Sequence, residues 1–499
     1  MMLKETMPST DVKQFKPSKY QKAIFEAGAR GDKNIVVNAT AGSGKTRTIK
    51  EFILNHMPKN KTWIYLVFNK KNQVEAEEKL RLAKGGYAST FHSLGFRAVR
   101  RSIGNVQLEN NKTNQMLRTK TDQNEKELWN VIARVVDIAK NTLTDVTSYD
   151  AMMTMCNRYS INLNGSAERI FELVKTIIAE SMVNTYTIDY TDMIWLPIVL
   201  NLGMEKYDYV LVDEAQDLNA IQVEMVLRIR KKNGCTIVIG DRNQAIYGFR
   251  GAGIDAMDVL TEALDAISLP LSITYRNPKA IVEYVNKTFP EISHECAEGA
   301  PEGKIENIDI KEFREIVKPN DMILCRTNAP LVQPAFDLIR RGIKAVIVGK
   351  SIGEELENLI NKMKKSLRNS ESVEDLLDVL QEYRLKETER LMRKNKEASV
   401  LALEDKIETI NVLAEDCSEI SEVVDKIRTV FSDDVQGVVF SSTHRAKGLE
   451  SKNVFILRYD LMPHPLALKS GNLWQLKEEE NCKFVALTRT LNNLYFIEN

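Results

Sequence analysis

Short apolar runs recur along the chain, each passing into a polar turn and then into a stretch with helical spacing. Ile35-Val36-Val37, Ile64-Tyr65-Leu66-Val67, Tyr209-Val210-Leu211-Val212 and Ile237-Val238-Ile239 are runs of this kind. Uninterrupted apolar runs of this length predict strands buried on both faces, and their alternation with helices predicts a parallel sheet with crossover helices. A second set begins near Leu269 and includes Met322 to Cys325, Ala345 to Val348, Val438 to Phe440, Asn453 to Leu457 and Leu494 to Ile497. The pattern therefore predicts an α/β protein with two α/β modules, following a loose tail over residues 1–15.

Two long stretches break the pattern. From Phe96 to about Asn184 no strand is evident; the segment opens basic, with Arg97, Arg100 and Arg101, and then reads as helical. Between Gly353 and Gly437 there is neither Gly nor Pro, and Leu356, Leu359, Ile360, Met363, Leu403, Ile407 and Ile410 fall at helical spacing. These positions hold no sustained heptad, so several helices with a break near 368–372 are preferred to one coiled coil. The expected organisation is a first module over 1–95 and 185–262 with a helical insertion over 96–184. A second module over 263–350 and 435–499 carries a helical insertion over 351–434.

Composition narrows the function only a little. Lys+Arg and Asp+Glu both number 69 in 499 residues, so any nucleic-acid surface must be a local groove. The six cysteines are scattered without CxxC pairs, which fits reduced thiols in a cytoplasm-like compartment and argues against zinc or iron–sulfur sites. No apolar run approaches the ~20 residues of a membrane span.

The candidate chemistry sits where strands end. Ala39-Thr40-Ala41-Gly42-Ser43-Gly44-Lys45-Thr46, with Arg47 next, follows the first strand and opens a helix. Strand, glycine turn and helix ending in Gly-Lys-Thr form a phosphate-binding loop, with backbone N–H groups and the helix N-terminus facing the phosphates. In this reading Lys45 reaches the β- and γ-phosphates and the Thr46 hydroxyl ligates Mg²⁺. Asp213 and Glu214, adjacent at the end of another strand, suit holding Mg²⁺ and polarising the attacking water. Gln244 is placed to sense the γ-phosphate, and Gln21, upstream of the loop, can offer its amide to an adenine edge. Tyr247, Phe249 and Arg250 lie in a glycine-rich loop and suit base stacking. Each feature alone has a plainer reading: a glycine turn, a surface acidic pair, a solvated Gln, aromatics in a domain interface.

Taken together, the motifs resemble the superfamily 1 DNA helicases of the UvrD/Rep/PcrA branch. Ala39 to Thr46 is similar to that family's AxAGSGKT loop and Asp213 to Asp217 to its DEAQD box. Gly240 to Ala252 resembles GDxxQxIYxxRGA, while Ser442 to Glu450 (STHRAKGLE) and Val485 to Thr490 (VALTRT) resemble the fifth and sixth motifs. The resemblance implies ATP and Mg²⁺ between two RecA-like motor domains, with Arg276 and Arg489 as arginine fingers. It also implies Tyr275 stacked on adenine, Gln21 on its edge, Glu450 at the ribose, and Gly448 among the nucleotide-binding residues. Phe68, Thr90, His92, Tyr247, Phe249, Arg250, Thr443 and His444 match positions that meet single-stranded DNA. Phe249 stands where many relatives have Trp, Thr490 where Ala is usual, and Asn481-Cys482 where a basic–apolar pair is usual. The second insertion is short for the family.

The implied activity is an ATP-dependent DNA helicase, translocating 3′ to 5′ and serving replication, repair or recombination. The expected partners are single-stranded DNA, forked or tailed duplex, and replication or recombination proteins. The chain is expected to act as a monomer in the cytoplasm, at a nucleoid or as a viral protein in a host. The alternatives are a translocase that strips proteins from DNA with little unwinding, an RNA helicase of the same superfamily, and a nucleic-acid-binding scaffold with a silent ATPase.

Overall fold

The computed structural model describes residues 15–498 apart from 160, 164, 249–254, 368–369, 394–396, 433–435 and 471. Phe249 and Arg250 therefore lie outside the described residues.

The first module is a six-stranded, fully parallel sheet. Its strands run side by side in the order Gly86–Thr90, Trp63–Val67, Tyr207–Val212, Arg230–Gly240, Ile35–Ala39 and Ile267–Leu271. One face, with Val37, Tyr65 and Leu211, packs on the helix Lys19–Arg30 and on the helix that follows the phosphate loop. The other face, with Val36, Ile64 and Val212, shares one core with Ile132, Val135 and Ile177 of the first insertion. That insertion is separate in sequence but continuous in packing. It is also tied down by charge: Lys112 and Lys140 both donate to the fully buried Asp192, each at 2.7 Å. A buried carboxylate is tolerated only when paired in this way.

The second module is a seven-stranded parallel sheet. Its order is Lys304–Ile308, Thr490–Ile497, Ser451–Leu457, Met322–Cys325, Val438–Ser442, Ala345–Val348 and Phe431–Ser432. Its insertion consists of the helices Lys350–Lys364, Val373–Arg393, Glu397–Ala414 and Ile420–Val430. Leu356, Ile407 and Val423 share a core with Ile347 and Phe440 of the sheet.

Two elements depart from the sequence reading. Ile267–Leu271 pairs with Ile35–Ala39 and so belongs to the first sheet, past the boundary expected at 262/263. Its partner lies more than two hundred residues upstream, which local patterning does not reveal. The segment read as strand-free contains a two-residue strand, Gln107–Leu108, which pairs with Thr187–Ile188. No described helix is long and apolar enough to cross a membrane.

Candidate nucleotide cleft and nucleic-acid surface

In the first module the phosphate loop, the acidic pair and Gln244 all follow C-terminal strand ends, so they gather at one edge of the sheet. Gly42 and Gly44 adopt φ of +70° and +80°, the left-handed region that glycine occupies without penalty. The loop then opens the helix Lys45–Glu51. Thr46 Oγ1 donates to Asp213 Oδ2 at 2.6 Å, and the buried Tyr65 hydroxyl donates to the same oxygen at 2.9 Å. A hydroxyl beside a carboxylate is an oxygen set suited to a hard divalent cation that keeps several waters. Lys45 Nζ stands 3.6 Å from Glu214 Oε1, and Gln216 donates to Glu214 Oε2 at 2.6 Å.

The two acids are driven apart electrostatically. Burial, reinforced by Glu214, raises the Asp213 pKa. Burial also acts to raise Glu214, but Lys45 and Lys447 outweigh it and hold that carboxyl down at about 2. Glu214 is therefore ionised at neutral pH and sits at φ +51°, a strained position for a non-glycine residue.

The second module closes over this edge. Tyr275 N–H donates to the Gly42 carbonyl at 2.9 Å. A Cβ on Gly42 would lie 2.4 Å from Arg276 Cβ, so only glycine admits this approach. Arg489 is 1 % exposed; its Nε donates to Val485 O at 2.9 Å and its Nη2 to Gln244 Oε1 at 3.3 Å. Burial and the neighbouring Arg276 lower its pKa to about 9. Arg276 donates to Glu450 at 2.7 Å, so Glu450 is engaged with an arginine here. Tyr275 is 54 % exposed beside the loop, leaving its ring free to act as a stacking platform. Gly448 has φ +89° and open space where a Cβ would be.

Gln21 also serves the local fold. Its Oε1 accepts from Ser18 N–H and its Nε2 donates to Thr48 Oγ1, each at 3.0 Å, closing a capping box. Arg47 lies over the Phe15 ring at 4.4 Å.

One relay was not evident from sequence. Thr40 Oγ1 and His294 Nδ1 are 2.6 Å apart, and His294 Nε2 and Asn277 Oδ1 are 3.2 Å apart. Asn277 Nδ2 donates to the Thr488 and Thr490 carbonyls at 3.3 and 2.9 Å. The phosphate loop is thus wired to the backbone on both sides of Arg489. Burial and Arg276 lower the His294 pKa to about 4, so the ring is neutral within this relay.

On the surface beside the cleft, Phe68 and Tyr247 stack with centroids 5.9 Å apart and planes 11° apart. Lys447 Nζ lies 4.8 Å from the Tyr247 centroid. His92 meets the edge of Tyr190, an aromatic that is 54 % exposed and whose exposure nothing in the sequence signalled. Thr90 caps the helix Phe91–Ile103 through Ser93 N–H. Thr443 is fully buried, with its hydroxyl on Cys325 O at 3.3 Å. His444 packs near Cys482 and Arg326, and burial, with Arg326, pushes its pKa down to about 3.

Two parallel P-loop-type sheets closing on one phosphate loop, with arginines from the second, define a two-module nucleotide-driven motor. A family model described as UvrD/REP helicase N-terminal domain matches residues 19–265, and one described as UvrD-like helicase C-terminal domain matches residues 345–499. The chain belongs to the UvrD-like helicase family. It is similar to the ATP-dependent DNA helicase PcrA of Staphylococcus aureus, at 25 % identity over 92 % of this chain and 80 % of the relative. It is also similar to F-box DNA helicase protein 1 of Schizosaccharomyces pombe, at 24 % identity over 96 % of this chain and 58 % of that protein. A probable DNA helicase II homolog of Mycoplasma capricolum is 25 % identical over 51 % of this chain and 38 % of the relative.

Proposed function

We propose that this protein is an ATP-dependent DNA helicase that translocates 3′ to 5′ on single-stranded DNA and separates duplex in replication, repair or recombination. The observation that carries this reading is the 3.3 Å contact of Arg489, from the second module, with Gln244, from the first. Turnover then requires a closed cleft, which couples hydrolysis to relative movement of the modules.

In this reading the loop from Ala39 to Thr46 cradles ATP, and Thr46 and Asp213 hold Mg²⁺. The ion neutralises phosphate charge when bound. Glu214, kept ionised by Lys45, orients the attacking water, and Arg276 and Arg489 meet charge developing on the γ-phosphate. Tyr275 serves as the base platform. Phe68, His92 and Tyr247 face the strand, Tyr190 extends that row, and Thr90, Thr443 and His444 shape its bed; Phe249 and Arg250 are assigned to the same strand by the motif they belong to. Base stacking on such aromatics is worth about 1–3 kcal/mol per base and tolerates any sequence.

The test is ATP hydrolysis with and without single-stranded DNA, alongside strand separation on 3′-tailed and 5′-tailed duplexes. Lys45→Ala is expected to abolish separation on both, and unwinding that survives this change sinks the proposal. Stimulation by RNA equal to that by DNA would redirect it to an RNA helicase. A second reading, a translocase that strips proteins and unwinds little, is favoured by the second insertion's helices sharing the core of their module. Strong DNA-stimulated hydrolysis with protein displacement but no strand separation would select it.

A further inference from the structure

We propose that the edge of the six-stranded sheet opposite the nucleotide cleft is a second nucleic-acid surface, one that holds the phosphate backbone of a duplex. The inference rests on the DNA-helicase reading. It uses residues on the other side of the module from every motif above.

In a parallel sheet all strands start at one edge. The cleft lies where the strands end, so the turns that precede them form the opposite edge. Four turns there carry an exposed lysine, Lys84, Lys61, Lys206 and Lys33, and the irregular start of the strand Arg230–Gly240 carries a fifth, Lys232, between Lys206 and Lys33 in strand order. Hydrogen bonds between the turns hold the row together. Trp63 donates through its indole to Lys84 O at 2.9 Å, Thr62 N–H to Asp208 at 2.9 Å, and Cys235 Sγ to Lys33 O at 3.2 Å. Lys231, beside Lys232, binds Asp208 at 2.8 Å.

None of the five lysines has an ion-pair partner among the described residues, whereas acids on the same edge are engaged. Asp208 holds Lys231 and Thr62, Glu205 accepts from the Tyr207 hydroxyl, and Asp32 lies 3.8 Å from Arg30. The chain as a whole is neutral, with 69 basic and 69 acidic residues, so five unpaired lysines beside Glu205, whose tyrosine hydrogen bond leaves its charge in place, make a local excess of positive charge. The row stops at the sixth strand, whose approach carries Glu262 and Asp265.

Strands about 4.8 Å apart place the five lysine positions over roughly 19 Å, the length of about six phosphates along one strand of a duplex. Among the described residues this edge also shows no exposed ring to serve as a stacking platform. Trp63, Tyr207 and Tyr209 are buried, Tyr87 is half-buried with its hydroxyl 2.6 Å from that of Tyr207, and the large exposed apolar side chain is Leu82. Unpaired bases call for exposed rings, whereas a duplex keeps its bases paired and offers phosphates, which flexible ammonium groups neutralise without regard to sequence. The row therefore fits duplex better than single strand. It would let one molecule hold a duplex arm while its cleft edge works on an unpaired one.

The experiment measures binding of a closed duplex dumbbell, which has no free strand, between 50 and 200 mM salt. It compares the full chain with the triple variant K61A/K206A/K232A. The changes are exposed and break no ion pair, and single-stranded-DNA-stimulated ATP hydrolysis is expected to be unchanged. The slope of log K against log[salt] should become shallower by roughly 0.9 per lysine removed. An unmoved slope and affinity, with stimulated hydrolysis intact, overturns the inference alone. Loss of DNA-stimulated hydrolysis in the unaltered chain defeats the helicase reading instead. Polyglutamate binding that the triple variant abolishes, with dumbbell binding unaffected, overturns it in favour of an acidic protein partner.

Discussion

Lys447 Nζ lies 2.6 Å from Asp217 Oδ2 and 2.6 Å from the Gln244 carbonyl, joining the fifth motif of one module to two strand-end segments of the other. Both side chains are nearly inaccessible, at 9 % and 3 % exposure. Burial, only partly offset by Lys447, raises the Asp217 pKa to about 6. Removing one partner of a buried pair costs about 3–5 kcal/mol, whereas replacing both can be close to neutral. Lys447→Ala is therefore expected to lower the melting temperature and uncouple hydrolysis from DNA, and K447M/D217N to recover stability but not coupling. The deficit of Lys447→Ala should grow as pH rises above 6, because Asp217 must then carry an unpaired charge. Thermal melts across pH 5 to 8 check both points.

Gly42→Ala tests the approach of the modules. The new methyl would lie 2.4 Å from Arg276 Cβ and 2.7 Å from Thr274 Oγ1, at a φ of +70°. The left-handed conformation alone costs about 1–2 kcal/mol for a non-glycine residue. DNA-stimulated kcat should fall at least about tenfold, with nucleotide affinity reduced less, because the methyl holds the cleft ajar. Steady-state kinetics beside fluorescent-nucleotide binding separate the two effects, and an unchanged kcat means the contact is dispensable.

His294→Ala cuts the relay between Thr40 and Asn277 and strands two buried polar groups, at about 1–3 kcal/mol each. The expected result is a drop in kcat with a smaller change in KM for ATP, and partial rescue by His294→Gln, which can still bridge the two. The His294 pKa is depressed from 6.5 to about 4, so its contribution to stability is complete above pH 6.5 and is lost as pH falls through 4. Comparing acid melts of the native chain and His294→Gln reads out that loss.

Glu478 provides the opposite slope. Burial, aided by Glu479, raises its pKa from 4.5 to about 8, and its Oε1 is buried without a hydrogen-bond partner among the described residues. The folded state binds the proton more tightly than the unfolded chain. The stabilisation is therefore full below pH 4.5 and declines as pH rises through 8. Glu478→Gln, of the same shape and uncharged, should melt close to the native chain at pH 5 and higher than it at pH 9.

The elements legible in the sequence were those whose causes are local. The loop from Ala39 to Thr46 is a strand, a glycine turn and a helix start within a dozen residues, and Asp213-Glu214 ends an apolar run. Ser18 and Gln21 carried a capping signature equally local, and the Gln21 Oε1 closes that cap. What pattern could not supply was pairing at a distance. Ile267–Leu271 has the apolar character of either sheet, and only its register on Ile35–Ala39 assigns it. Likewise Lys447 facing Asp217 and His294 facing Thr40 are relations between modules, and Glu450 facing Arg276 joins segments of the second module far apart in the chain. The first two arise from closure of the cleft, and none arises from a run of residues.

The placement of Ile267–Leu271 also has a mechanical consequence. Every strand of the first sheet precedes Leu271 and every strand of the second follows Asn277, so these few residues are the sole covalent tether between the motor halves. The tether is laced to the phosphate loop, with Thr40 N–H on Leu271 O at 3.1 Å and Tyr275 N–H on Gly42 O at 2.9 Å. Drag on a moving strand that pulls the halves apart must load this segment, and through it the bed on which the triphosphate rests. Fuel consumption in this motor should therefore respond directly to opposing force, with the tether acting as its strain gauge.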